Sequence, residues 1–201
     1  MRNLIGLGLI WILGFLISDL SAKEYTLHAG LGAASGTRYG MPFTLGGSFQ
    51  GGEIPLTVLK PEFEAGLWYM NDSEAQYTLC DEGPCRETTV SWWSFYQGVR
   101  LNIDAVASTT GLLTQQGLGL AVVEAIPYQL IRDSKTATHH RVGRTETSLM
   151  GHGFIRYDLN PGRPVGLYVE GDVWIKLTGR ESQESASELL LGKLGVRFPG
   201  F

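Results

Sequence analysis

The residues best suited to chemistry in this sequence are a serine, a histidine and an acid. Ser148 and His152 are four residues apart, and Glu170 follows in the next alternating segment. A nucleophilic hydroxyl, a general base and an orienting carboxylate together hydrolyse esters. In an extended strand, however, four residues span about 13 Å, which is far beyond hydrogen-bond reach. The sequence therefore predicts no catalytic residues, and a hydrolytic site stays only as an alternative.

The first residues of the chain have the pattern of an export signal. Arg2 supplies a positive charge, Leu4 to Ile17 form an unbroken apolar run, and Ala22 is a small residue that a signal peptidase accepts. The run is short against the ~20 residues that cross a membrane as a helix. We therefore predict a signal peptide over residues 1–22 and one mature domain over residues 23–201.

Two cysteines and two adjacent histidines are the other candidates for chemistry. Cys80 and Cys85 enclose Asp-Glu-Gly-Pro, and an exported chain passes through an oxidising compartment, so we predict a disulfide between them. Their spacing is not that of a Cys-x-x-Cys redox pair. His139 and His140 lie in a polar stretch of the sequence. One interpretation is that they contact an anionic lipid or a metal, and the favoured one is that the stretch is simply solvated. The sequence predicts no metal site and no cofactor.

Composition and charge limit the class of protein. The chain has 201 residues, of which 43% are apolar and 18% charged, so one folded domain is expected rather than a disordered chain. The formal net charge is -4, and no cluster of Lys and Arg offers a surface for phosphates. A nucleic-acid-binding protein is therefore excluded.

Alternation of apolar and polar residues runs through the chain after residue 22 and predicts β-strands. Residues 165–177 show it most clearly, and Leu118, Leu120 and Val122 are followed on the same face by Glu124, which we interpret as the sign of a bulge. The count is eight strands, with ten as the alternative. The remaining strands are predicted at residues 25–33, 41–50, 63–69, 93–103, 117–130, 149–157 and 190–198.

The connections between these strands are of two kinds. Short turns are predicted at Gly51-Gly52 and at Asn160 to Gly162, whereas Asn71 to Thr88, Arg132 to Gly143 and Gly179 to Ser187 read as longer polar links. Short and long connections largely alternate along the chain. An up-and-down barrel in an outer membrane has this arrangement.

Three observations favour a barrel in lipid over a soluble β-sandwich. Several alternating runs have the ~10 residues that a tilted membrane strand needs. Aromatic pairs at Trp68-Tyr69 and Trp92-Trp93 lie near strand ends, where interfacial girdles occur. Acids and bases are similarly frequent on the polar faces, so they can pair within a narrow lumen. The predicted lumen charge network consists of Glu62, Glu64, Arg100, Arg156, Glu170, Asp172, Lys176, Lys193 and Arg197.

The chain resembles the small outer-membrane barrels of the OmpA, OmpX and OmpW kind. The resemblance rests on the export signal, the eight amphipathic strands and the ending Leu194-Gly195-Val196-Arg197-Phe198-Pro199-Gly200-Phe201. It implies a closed, all-β, antiparallel up-and-down transmembrane barrel in the cell outer membrane. It also implies the outer-membrane assembly machinery as a partner, with Phe198 or Phe201 as the terminal aromatic of the assembly signal. Membrane lipid and lipopolysaccharide are the other implied partners.

The expected function is that of a non-enzymatic outer-membrane barrel. Eight strands leave just enough interior for side chains, so we expect a filled lumen rather than a wide pore. The surface loops would serve envelope integrity, adhesion or contact with an extracellular ligand, which the sequence does not identify. A lipid A-modifying outer-membrane enzyme and a soluble periplasmic β-barrel carrier are the alternatives.

Overall fold

The computed structural model describes residues 24–34, 41–54, 57–79, 86–106, 113–132, 137–141, 145–178 and 188–200. These residues form nine β-strands and no helix. The predicted signal peptide at residues 1–22 lies outside the described residues and stays a prediction. The strands are β1 (Glu24–Ala34), β2 (Phe43–Gln50), β3 (Lys60–Leu79), β4 (Arg86–Val106), β5 (Leu113–Arg132), β6 (Ala137–Arg141), β7 (Glu146–Asp158), β8 (Gly166–Thr178) and β9 (Glu188–Pro199).

The strands close into an antiparallel barrel. The order is β4-β3-β2-β1-β9-β8-β7-β5-β6, and a further pairing of β4 with β5 joins the two ends. Strands β6 and β7 pair one after the other along β5, so together they occupy one position in the wall. The wall therefore has eight positions, which confirms the predicted all-β up-and-down barrel and its strand count. Closure pairs both edges of the sheet that the described residues form.

Alternate residues point to opposite sides of the wall, as the sequence predicted. On β8, Tyr168, Glu170, Asp172 and Trp174 are buried, while the residues between them are exposed. Strand β9 alternates in the same way. Each side chain on a strand points to only one side of the wall. The alternation therefore leaves the apolar face on the outside and the polar face in the lumen.

The two ends of the barrel differ. The turn end carries the connections 51–59, 107–112 and 159–165, and the loop end carries the connections 35–42, 80–85, 133–136 and 179–187. At the loop end the pairing of β3 with β4 continues to Leu79 and Arg86, although β2 stops pairing with β3 at Tyr69. The barrel wall is thus prolonged on one side.

This prolongation corrects two of the predicted connections. The stretch Asn71 to Thr88, read as a polar link, is strand up to Leu79 and again from Arg86. The stretch Arg132 to Gly143 contains β6, so His139 and His140 lie in a strand. Where a strand extends beyond the apolar belt, its residues are polar and the alternation of apolar and polar residues is lost. The sequence pattern of these strand ends is therefore that of a loop.

The predicted bulge at Glu124 is also wrong. The residue pairs in continuous register with Phe95 on β4 and with Thr147 on β7. It therefore stays on the outer face behind Leu118, Leu120 and Val122. It lies one outward position before Ile126, which pairs with Trp93, at the loop-end edge of the apolar surface. At that edge the carboxylate already lies outside the middle of the apolar belt, so no bulge is needed to remove it from the lipid.

Candidate functional site: the closed lumen

Charged side chains fill the half of the lumen nearer the turn end. Arg100 Nη2 donates to Glu62 Oε1 at 2.6 Å, and Arg100 Nη1 donates to Glu170 Oε1 at 3.1 Å. Arg156 binds the same two acids, at 2.7 Å from Nη2 to Glu170 Oε2 and at 3.1 Å from Nη2 to Glu62 Oε1. Lys193 pairs with Glu170 and with Asp172. We call Glu62, Glu64, Arg100, Arg156, Glu170, Asp172 and Lys193 the ion network.

Uncharged polar groups complete the pairing around Glu62. Ser48 and Asn102 both donate to its carboxylate, and Thr26 lies 2.6 Å from Ser48. On the other side, Gln115 Oε1 accepts from Arg156 Nη1 at 3.0 Å. Charges that leave water lose several kcal/mol of solvation each, so such a network is tolerable only when its members bond to one another.

Aromatic rings lie against the two arginines. The guanidinium carbon of Arg100 is 4.1 Å from the centroid of Phe154, and that of Arg156 is 4.5 Å from the centroid of Tyr168. A guanidinium over a ring face gains a cation–π attraction of about 0.5 to 2 kcal/mol.

An aromatic layer closes the lumen on the loop side of the ion network. Trp68 and Tyr96 stack with ring centroids 5.0 Å apart, and Trp174 meets Trp68 edge-on at 4.8 Å. Trp68 and Trp174 are 1% and 0% exposed, so both rings are packed inside the barrel. Further toward the loop end the layer packs against a cluster of Met70, Trp92, Ala121, Val123, Ala125, Met150, Leu189 and Leu191.

Glycines on the inner face make room for these rings. A Cβ atom at Gly66 would stand 2.5 Å from Tyr96 Oη, and one at Gly46 would meet the same hydroxyl. Gly195 lies under the ring of Tyr168, and Gly119 lies under His152. A narrow barrel can hold large rings in its lumen only where the facing strand has no side chain.

His152 links the ion network to the aromatic layer. Its Nε2 atom is 2.7 Å from Glu64 Oε1, and its Nδ1 atom is 3.8 Å from Asp172 Oδ1. Its ring stacks on Trp174 with centroids 3.9 Å apart and planes 8° from parallel. The acid partners of His152 are thus Glu64 and Asp172, and the serine and acid of the alternative hydrolytic site are not among its contacts.

The structure places the predicted charge residues in three groups. All the members of the ion network were predicted from the sequence. Arg197 instead binds Asp158 at 2.7 Å at the rim of the turn end, close to Glu24. Lys176 is half-buried two positions past Trp174 on the same face of β8. Cys80 and Cys85 lie outside the described residues, and their disulfide stays a prediction.

Sequence reasoning missed the inward position of Trp68 and Trp92. It assigned both members of Trp68-Tyr69 and of Trp92-Trp93 to outer girdles, but neighbouring residues of a strand face opposite sides. Trp68 and Trp92 are buried inside, whereas Tyr69 and Trp93 are outside with ring centroids 4.8 Å apart. The alternation itself carried the signal that separates each pair.

The outer surface decides what surrounds this barrel. Leu118 is 75% exposed, and Val169, Val173 and Ile175 are 37%, 48% and 50% exposed, while Glu170 between them is 3% exposed. Apolar surface faces outward and charge faces inward, the reverse of a soluble protein. The barrel is a transmembrane one. Only a closed barrel satisfies the backbone of β-strands in hydrocarbon.

Aromatic residues frame the outer surface of the transmembrane barrel at both ends. Phe49 and Phe63 stack with centroids 4.9 Å apart near the turn end, and Tyr69 with Trp93 lies toward the loop end. Such girdles mark the two interfaces of outer-membrane barrels. The surface contacts membrane lipid, and the outer-membrane location predicted from the sequence is the one in which closed barrels of this construction occur.

Two features are missing from the described residues. No helix there is long and apolar enough to cross a membrane. In the same part of the chain, no group of three or more His, Cys, Asp or Glu residues is arranged to hold a metal ion.

Comparison with known proteins finds similar structures but no similar sequences. No protein-family model and no curated protein matches the chain. A major outer membrane protein from Thermus thermophilus is 10% identical with a TM-score of 0.49, covering 89% of this chain and 99% of that one. Neisserial surface protein A is 12% identical with a TM-score of 0.41, covering 87% and 94%. The attachment invasion locus protein Ail of Yersinia pestis is 9% identical with a TM-score of 0.42, covering 90% and 98%. At these low scores, we draw functional conclusions only from contacts within this chain.

Proposed function

We propose that this chain is a sealed outer-membrane barrel without enzymatic activity that acts through its surface at the loop end. The observation that carries the proposal is the filled lumen. The ion network joins β3, β4, β7, β8 and β9 across the interior, and the aromatic layer lies directly above it. Two successive layers of buried side chains leave no room for a solute to pass.

The prolonged wall at the loop end supports a role in contact outside the membrane. Strands β3 to β6 continue there after β2 has ended its pairing with β3. A paired sheet that projects from the membrane gives a fixed surface, in contrast to mobile loops. The partners that suit this position are lipopolysaccharide, a neighbouring envelope component or an extracellular ligand, and the role is adhesion, ligand contact or envelope integrity.

Conductance in planar bilayers tests the sealed lumen. We expect purified, folded protein to leave the membrane current at the level of the protein-free bilayer, and a general porin inserted by the same procedure serves as the positive control. Regular current steps of the size seen with general porins would overturn the proposal. Insertion of the sealed protein is checked separately by protease protection of the reconstituted vesicles.

The alternative enzyme has a separate test. A lipid A-modifying enzyme would change the mass of lipid A by one acyl chain during incubation, and we expect the mass to stay unchanged. A soluble periplasmic carrier would appear in the soluble wash of a cell fractionation. We expect this chain in the membrane pellet, because large apolar side chains are exposed on the outer surface of the barrel.

A further inference from the structure

His152 stands where the charges of the ion network do not balance. The network contains the carboxylates Glu62, Glu64, Glu170 and Asp172, but only Arg100, Arg156 and Lys193 as permanent cations. One negative charge is therefore left over in a region that excludes water. Of the four carboxylates, Glu64 has the weakest pairing to these cations, since Arg100 Nη1 is 3.7 Å from Glu64 Oε2. An unpaired buried charge is costly, and a fourth cation beside Glu64 would remove that cost.

The geometry of the imidazole fits that role. One ring nitrogen faces Glu64 at 2.7 Å and the other faces Asp172 at 3.8 Å. A neutral imidazole has one donor nitrogen and one acceptor nitrogen, so one carboxylate would face a lone pair. An imidazolium carries a hydrogen on both nitrogens, so neither carboxylate faces a lone pair.

Charged and titratable groups from five other strands face the region around His152. The titratable groups that face this region from other strands are His28 on β1, Glu64 on β3, Tyr96 and Arg100 on β4, Asp172 on β8 and Lys193 on β9. Strand β5 contributes Gly119 at this point. Lys176 lies four residues past Asp172 on β8, about 13 Å along the strand. Lys193 already pairs with Asp172 and Glu170.

We propose that His152 is held as an imidazolium in the folded barrel and couples the charge of the ion network to the aromatic layer. Trp174 is the point of coupling, because it stacks on His152 and also packs edge-on against Trp68 and Tyr96. Loss of the proton leaves net negative charge beside Trp174 and removes the cationic partner of its ring. The barrel is therefore sensitive to alkaline pH at one defined residue.

Nitrogen NMR of the histidine-labelled, folded protein tests the proposal directly. At pH 7.5 we expect the two ring nitrogens of His152 to give imidazolium shifts. His28 is the matched control, because it is also buried in the lumen but bonds to the hydroxyl of Tyr96 at 3.1 Å and has no ion pair to an acid among the described residues. We expect neutral-imidazole shifts from His28. Single His→Gln variants assign the two signals.

A second readout follows the aromatic layer. Near-ultraviolet circular dichroism of the tryptophans is expected to change as the pH rises through the titration of His152, and the same change is expected to be absent in His152→Gln and present in His28→Gln. Neutral-imidazole shifts of His152 at pH 7.5 would overturn the proposal. So would an identical alkaline change in His152→Gln. The wild-type NMR measurement stands even where the variant fails to fold.

Discussion

At the scale of single residues, the lumen is held by side chains that each satisfy several partners. Glu170 illustrates this, because it accepts from Arg100, Arg156 and Lys193, which come from three different strands. The loss of one member therefore leaves the others buried without their partner. An ion pair at the rim behaves differently, because water solvates the remaining partner when one residue of the pair is lost.

Arg156 provides a test of that difference. Replacement by Met keeps the approximate length of the side chain but leaves Glu62 and Glu170 short of a cation, so we expect a loss of about 3–5 kcal/mol in the free energy of unfolding. Lys60→Met is the control, because Lys60 pairs with Asp104 at the rim and both side chains are partly exposed. There we expect a loss of at most about 1 kcal/mol. Urea titrations of both variants in lipid vesicles measure the two values, and equal losses would contradict the account.

The inward glycines make a prediction about space. Gly66→Val puts a branched side chain where Tyr96 Oη is already within 2.5 Å of the Cβ position. We expect the aromatic layer to be displaced and stability to fall by about 1–3 kcal/mol. Gly171→Val is the matched control, because a Cβ atom there meets nothing within 4 Å. A denaturant midpoint that is lowered as much by Gly171→Val as by Gly66→Val would show that backbone propensity, rather than crowding, is responsible.

At the scale of the strands, alternation predicted most of the wall because one face meets hydrocarbon along its whole length. The face Val165 to Leu177 is an example, since every second residue is exposed in the structure. The ion network was predictable for the same reason, because the polar face of each strand must point inward. Sequence reasoning failed where strands leave the lipid, as at Asn71 to Thr88, because polar residues then occupy both faces. It also could not show which acid meets which base, since that depends on the stagger between strands.

Substitutions in the turn between β7 and β8 test how a connection fixes the stagger between two strands. Gly162 has a φ of 80°, a conformation that costs most L-residues about 1–2 kcal/mol. Asn160 accepts from the backbone nitrogen of Leu167 and so ties the turn to the first residues of β8. We expect Gly162→Ala to be destabilising by about 1 kcal/mol and Gly162→Asn to be milder, because Asn tolerates positive φ. Equal urea midpoints for the two variants would rule out this explanation of the glycine.

At the scale of the whole molecule, the barrel is a soluble protein turned inside out. Its charges lie in the lumen, its apolar residues lie on the surface, and aromatic residues mark the two ends of that surface. The sealed lumen, the prolonged wall and the state of His152 all depend on this arrangement. In water the same surface would drive aggregation, so the surrounding lipid is part of the folded state.

Two valines on one strand face test this claim most directly. Val173 and Val165 are each 48% exposed, but Val173 lies near the middle of the outer face of β8, whereas Val165 is the last residue of the turn-end connection before it. For folding into lipid vesicles, we expect Val173→Arg to cost about 2–4 kcal/mol and Val165→Arg about 0–1 kcal/mol. If the two variants unfold at the same urea concentration, the outer surface does not face lipid and the account is contradicted.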